Sequence, residues 1–143
     1  MKFHTVNKDK ILALAIELTE LQNYFLKQYG VNDIFSNSKI FEIITADSLG
    51  HRLIPGHSGS RDALDKDGGE IEYKHYKETS SNHTWTFNDF SDTTIEKLND
   101  TKAVLFTHIN DTGGIYEFDW YYEVEGSVMS NFLAEATKKI RHC

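Results

Sequence analysis

From position 8 onward apolar residues return every three or four places. Ile11, Leu14, Leu18, Leu21 and Phe25 mark one face of a helix from Lys8 to Tyr29, with Asn7 as its N-cap and Gly30 just past its end. Leu12, Ile16 and Leu26 widen the apolar surface beyond a single stripe, so this helix is expected either to be wholly buried or to contact both the core and a second subunit. Val31 to Asn37 reads as a turn segment containing Asn32, Asp33 and Asn37. Ser38 then caps a shorter helix through Ala46 that carries Ile40, Phe41, Ile43 and Ile44. Leu53 and Ile54 lead into the single proline, and Pro55 to Ser60 is a loop by every local signal.

Beyond Gly59 the spacing changes to alternation, and two strand-like runs meet at Lys66-Asp67-Gly68-Gly69. The glycines there supply the left-handed positions of a tight reversal, which predicts a hairpin. With Asp67-Gly68-Gly69 as a three-residue loop, Lys66 pairs with Glu70, Leu64 falls opposite Glu72 and Asp62 opposite Lys74, so Asp62, Glu72 and Lys74 share a face. A loop of Asp67-Gly68 alone would instead pair Asp62 with Tyr73 and separate the two carboxylates. Ile71, Tyr73 and His75 point the other way, toward the core.

Glu78 to Asp92 mixes hydroxyls, amides and aromatics, and burial in a loop or hairpin accounts for Trp85, Phe87 and Phe90. Thr93-x-x-Glu96 is a capping box that predicts a short helix over Thr94 to Asn99. Ala103 to Ile109 is an apolar run of central-strand length, Asn110 to Gly114 a turn, and Ile115 to Val124 an aromatic-rich strand. Ser127 caps a last helix in which Val128, Phe132, Leu133 and Ala136 are periodic, with Lys138, Lys139 and Arg141 at its basic end.

At 143 residues the chain is expected to form one domain with one core, and its 39% hydrophobic and 26% charged residues suit a soluble protein. No apolar run reaches membrane-spanning length and the first residues lack a signal-peptide pattern, so a cytoplasmic protein without a membrane partner is expected. The only cysteine is the last residue, Cys143, and the seven histidines show no ligand spacing, which argues against disulfides and structural zinc. A formal charge of −7 argues against a protein that coats nucleic acid. Any DNA contact requires a local basic rim, for which Arg52, His57, Arg61, His75, Lys77 and His83 are the candidates.

An aspartate followed by Glu-x-Lys on a neighbouring strand suits a metal-dependent phosphodiesterase. Two carboxylates hold a hard divalent cation, and a lysine orients water or balances charge in the transition state. The competing reading of the same residues is a solvated hairpin with charges on its open face. Tyr29-Gly30-Val31-Asn32-Asp33-Ile34-Phe35, then Leu53-Ile54-Pro55-Gly56, then Asp62-Ala63-Leu64-Asp65 with Gly68 and Glu70-x-Glu72-x-Lys74, then Ile95-x-Lys97, follow in order. Together they resemble the landmarks of a PvuII-type restriction endonuclease of the PD-(D/E)xK superfamily, over about residues 11 to 125.

The resemblance implies an α+β fold: a restriction-endonuclease-like core with a mixed central sheet flanked by helices, and a long N-terminal helix. Residues 1–143 would be one nuclease domain, with a dimerisation segment at 1–30 and a catalytic core at 50–125. It implies Mg²⁺-dependent cleavage of double-stranded DNA by a homodimer, a Type II restriction enzyme, with Mn²⁺ able to substitute. Asp62 and Glu72 would be the metal ligands and Lys74 the group that positions water. Asn37 would approach the minor groove and Arg61 a phosphate, with His83, Thr86 and Asn88 facing bases; Asp89 is a further candidate there. Glu70 would be a strand charge or auxiliary, Asp65 a turn residue, and Lys97 the counterpart of a family lysine. The chain departs from the pattern in three places. Ser58 or His57 stands where the family has an acid, His83 is the remnant of a base-reading histidine cluster, and no further strands follow the last helix. Two alternatives remain: a repair or recombination nuclease without a fixed target, and an inactive DNA-binding or interaction dimer of the same fold.

Overall fold

The run Ala-Val-Leu-Phe-Thr-His-Ile has no polar face, and a strand built from it must be covered on both sides. In a computed structural model of the chain it is the middle of the longest ladder in the sheet. The structure describes residues 3, 8–31, 33–34, 39–55, 61–112 and 116–141, with backbone alone for 8–16, 18 and 141. The expected caps Asn7 and Ser38, and Asn37, His57 and Ser58, lie outside the described residues.

In chain order the elements are helices α1 (Lys8–Tyr29) and α2 (Lys39–Leu49), strands β1 (Arg52–Leu53), β2 (Ala63–Leu64) and β3 (Glu70–Lys77), helix α3 (Asp92–Asp100), strands β4 (Ala103–Asn110) and β5 (Glu117–Glu125), and helix α4 (Gly126–Arg141). The strands form one sheet in the order β1-β2-β3-β4-β5. Only β3 and β4 are parallel, joined through α3; the other pairs are antiparallel. The architecture is therefore α+β, a mixed sheet flanked by helices. Among the described residues no helix is long and apolar enough to cross a membrane.

Strand alternation divides the core in two. Ile71, Tyr73, Ala103 and Leu105 pack with Ile43 and Ala46 of α2, with Leu53, Ala63, Val31 and Ile34, and with Phe25 and Tyr29 of α1. On the opposite face Val104 packs with Ile95 and Leu98 of α3 and with Met129 and Leu133 of α4. Gln22 ties α1 to the segment that follows: its amide donates to Val31 O (2.8 Å) and accepts from Ile34 N (2.8 Å).

Three local expectations are corrected. Helix α3 begins at Asp92 with Ser91 as its N-cap, accepting from Thr94 N at 3.3 Å, because Asp89 holds Ser91 N and the Thr94 hydroxyl. On α4 the buried side chains are Met129, Ser130 and Thr137 together with the expected Leu133, whereas Val128 and Phe132 are 53% and 64% exposed. That helix starts one residue before the expected cap, at Gly126, directly after β5. The third correction, the hairpin register, bears on the site and is described there.

Gly126 stands where the sheet hands over to α4, its N–H donating to Lys102 O at 3.2 Å. A Cβ there would lie 1.9 Å from Thr101 O and 2.4 Å from Leu98 O, both backbone atoms that cannot swing aside. Gly126→Ala should therefore destabilise the protein by about 2 kcal/mol. An unchanged urea midpoint would contradict this packing.

Candidate active site

The site starts from the turn between β2 and β3. Leu64 pairs with Glu70 and Ala63 with Ile71, so five residues, Asp65 to Gly69, form the turn rather than three. The expected pairs Lys66–Glu70, Leu64–Glu72 and Asp62–Lys74 do not form. The cause is Asp65, whose Oδ1 accepts from Asp67 N (3.0 Å) and Gly69 N (2.8 Å) while its Oδ2 takes the ammonium of Lys102. The hydrogen bond from Lys102, with that from Gly69, also holds the Asp65 carboxyl below its ordinary pKa. A side chain folded into the loop makes the reversal wide, with Gly68 at φ 81° where it must turn.

This register differs from the expected one by two residues, which preserves the alternation. Carried one residue past Ala63–Ile71, it sets Asp62 level with Glu72, and Asp62 N donates to Ile71 O at 3.0 Å. The Asp62 carboxylate is anchored by the backbone of β3, its Oδ2 accepting from Tyr73 N at 2.7 Å. Glu72 and Lys74 alternate with the buried Ile71 and Tyr73, and Lys74 Nζ lies 3.8 Å from Glu72 Oε1. Glu72 is nearly enclosed, its side chain 13% exposed, and its Oε2 is buried with no hydrogen-bond partner.

A third acid joins these two. Glu42 on α2 is close enough to Asp62 that burial and the Glu42 charge together push Asp62 up to about 7. Burial, then the Asp62 charge, pushes Glu72 up to about 8. Glu42 is itself raised by burial despite its ion pair with Lys39 at 3.0 Å. Desolvation raises all three, and like charge adds to it at Asp62 and Glu72, whereas at Glu42 the ion pair with Lys39 and a hydrogen bond with Asp62 pull the other way; Lys39 and Lys74 only partly offset the rise.

This donor set suits a hard divalent cation. An enclosed carboxylate oxygen lacks a partner, and a neighbouring carboxylate is raised by its surroundings, a condition that bound positive charge relieves. Among the described residues no group of three or more His, Cys, Asp or Glu side chains is placed to hold a metal ion, so the two carboxylates alone would have to serve. Mg²⁺ characteristically takes one or two carboxylates and keeps several waters. Asp62 and Glu72 are the residues that would hold it.

Beside Glu72 and Lys74 opens a cleft of about 320 Å³, lined further by Phe87, Asn88, Asp89, Thr94, Lys97 and Leu98. Of the sequence-derived DNA contacts, Asn88 is thus brought next to Lys74, and Lys97 lines the same cleft. Thr86 is exposed one step before it. Arg61 Nε is ion-paired with Glu70 Oε2. His83 hydrogen-bonds Glu78 O at 2.8 Å and leans on the Tyr76 ring, farther along β3. Of the basic rim, Arg52 is exposed, but His75 does not belong there. His75 is bonded to Thr107 Oγ1 at 2.6 Å, and burial lowers its pKa to about 4, so it is neutral.

Two constellations were not read from the sequence. Glu42 had a visible signal, an acid set among Ile40, Phe41, Ile43 and Ile44 on a mostly apolar helix. The other is His108, whose ring nitrogens lie 2.6 Å from both Asp119 Oδ1 and Glu78 Oε2 and whose ring stacks on Trp120. Burial disfavours its charge, but the two carboxylates win and raise its pKa. A bulge in β5 makes this possible, since His108 faces Trp120 while Ile109 faces Phe118, leaving Asp119 unpaired and free to turn inward. No sequence pattern marks that bulge.

Compared with known protein families and with curated proteins, the chain matches no family model and no curated sequence.

Proposed function

We propose that the protein is a Mg²⁺-dependent endonuclease that hydrolyses phosphodiester bonds of double-stranded DNA, acting as a homodimer of the restriction-endonuclease-like type. The observation that carries the reading is the crowding of Asp62, Glu72 and Glu42 at one place, with two carboxyls raised to about 7 and 8 beside an enclosed, unpartnered Glu72 oxygen. A fold keeps such an arrangement against its own stability where the site serves chemistry. The resemblance of the Asp62, Glu72 and Lys74 segment to PvuII-type enzymes supplies the reaction class and the Type II assignment.

When bound, the cation supplies a Lewis acid for the phosphoryl oxygens. Asp62 and Glu72 hold it, and the Tyr73 N–H fixes the Asp62 carboxylate so that the group does not have to find its position at each turnover. Lys74 orients the attacking water and balances the charge that builds on the phosphoryl oxygens. Glu42, beside Asp62, adds negative charge that favours a divalent over a monovalent ion. The cleft at Asn88 and Lys97 receives the DNA backbone next to the scissile bond. For the homodimer, α1 supports the reading by presenting Leu21, Tyr24 and Leu26, each 44% exposed or more, on a helix whose Phe25 packs into the core. Each subunit would then cut one strand of a two-fold symmetric site.

The test is incubation of the purified protein with unmethylated plasmid and Mg²⁺. Discrete bands that disappear with chelator are the expected result for a restriction enzyme. A smear or nicks would favour a repair-type nuclease, and intact plasmid with Mg²⁺ or Mn²⁺ would overturn the enzymatic reading in favour of the inactive binding dimer.

A further inference from the structure

Lys74 has a flexible four-carbon stem, and holding it in one place opposes its rotamer entropy. A group that must orient water has to be held closely. Yet Lys74 makes no hydrogen bond among the described contacts. The carboxylate oxygen with which it forms an ion pair, Glu72 Oε1, is 3.8 Å away, too far for one. What lies against it is the ring of Phe87, with the ammonium 4.5 Å from the ring centroid. That ring is fixed in turn, packing edge-on to Phe106 with centroids 6.1 Å apart and joining the core cluster of Ile95, Leu98 and Val104.

We propose that Phe87 is a positioning residue for Lys74: its π face holds the ammonium at the mouth of the cleft without occupying any of the three N–H donors. The proposal rests on the reading of Lys74 as the water-orienting group. The aromatic face attracts the cation through its quadrupole, an interaction with no donor stoichiometry. The Glu72 carboxylate adds a pull from the side at a distance that leaves the hydrogens unshared. A hydrogen-bonded anchor would have consumed the donors that water and a phosphoryl oxygen need. Here they remain available to the cleft that Asn88 and Thr94 line. Phe87 thus has a role beyond filling the core, since a leucine would fill much of the same space without offering a negative face.

The experiment replaces Phe87 by leucine and by tyrosine, and separately by phenylalanines carrying one, two and three ring fluorines, which drain the π face in steps with little change of shape. The expected result is a kcat for DNA cleavage about tenfold lower in Phe87→Leu with KM within about twofold, near wild-type kcat in Phe87→Tyr, and a stepwise fall along the fluorinated series. If Phe87→Leu fails to fold, the fluorinated series still decides. A second readout needs no activity. The Lys74 ε-methylene protons should be shifted upfield by the ring in wild type and return to ordinary positions in Phe87→Leu. Absence of that shift, or a kcat flat along the fluorinated series, overturns the proposal. A wild type that is inert with Mg²⁺ but keeps the upfield shift instead sinks the nuclease reading, leaving Phe87 a structural contact only.

Discussion

Glu72→Gln and Asp62→Asn should each lower Mg²⁺-dependent DNA cleavage by about 10³-fold, and each should also raise the melting temperature of the metal-free protein near pH 8. The first half follows from geometry. Asp62, just before β2, stands level with Glu72 of β3 by the Ala63–Ile71 register, and an amide in place of either would remove one of the two carboxylates proposed to hold the cation. The second half follows from the burden these groups impose. Glu72 is enclosed and raised to about 8 by burial and by Asp62, so near neutral pH the native state must either keep a proton there or carry a desolvated anion beside another acid. A neutral amide removes that choice. Lys74→Ala should cost cleavage about 10²-fold without the stability gain, because it removes a cation from an acidic cluster rather than an acid. An amide variant that lost activity and also lost stability would mean that the carboxylates are structural, and cleavage undiminished in every variant would point to a contaminating nuclease.

What could be read in the sequence and what could not divide along a physical line. The apolar run at Ala103–Ile109 had to be a covered strand, and the glycines after Lys66 had to be a reversal. Each is a local property with a single structural solution. The turn length was not legible because Asp65, a residue that looks like any other loop acid, folds its side chain into the turn and takes Lys102 from across the sheet. That partner is remote in sequence, so no local pattern contains it. The alternation of strand faces nevertheless survived the error, since a displacement of two residues keeps Asp62 on the face of Glu72 whereas a displacement of one would not.

The same reasoning separates Glu42 from the acids that were found. Asp62, just before β2, and Glu72 and Lys74 on β3 flank one turn, so their proximity is built into the hairpin. Glu42 reaches them only because α2 packs Ile43 and Ala46 onto Ile71, Tyr73 and Ala63, a tertiary event. The periodicity of α4 misled for a related reason. Val128 and Phe132 share the expected apolar face with Leu133, but only Leu133 of these three is buried, and with Met129, one step around the helix from Val128, it meets Val104 and Leu98. Periodicity gives a face, and the partner decides which edge of that face is buried.

In the absence of metal the protein should be more stable near pH 5 than near pH 8, by on the order of 3 kcal/mol, and Mg²⁺ should remove most of that difference. Asp62 and Glu72 have ordinary values of 3.8 and 4.5, and in the fold they rise to about 7 and about 8. Between those limits the native state retains protons that the unfolded chain has released, so the slope of stability against pH is negative there. The full contribution is present below about pH 4 and is lost progressively as pH rises toward about 8. Two shifts of about three units would imply more than this if they were independent, but each acid is raised partly by the other, so the pair counts as little more than one. The proposed cation would bind the ionised pair, so millimolar Mg²⁺ should raise the melting temperature near pH 8 and leave it nearly unchanged near pH 5. Asp62→Asn should flatten both dependences. Melting curves across this range, with and without Mg²⁺, decide the matter. A wild-type protein whose stability ignores both pH and the metal would show that the three acids are already satisfied, and the cation site with them would fall.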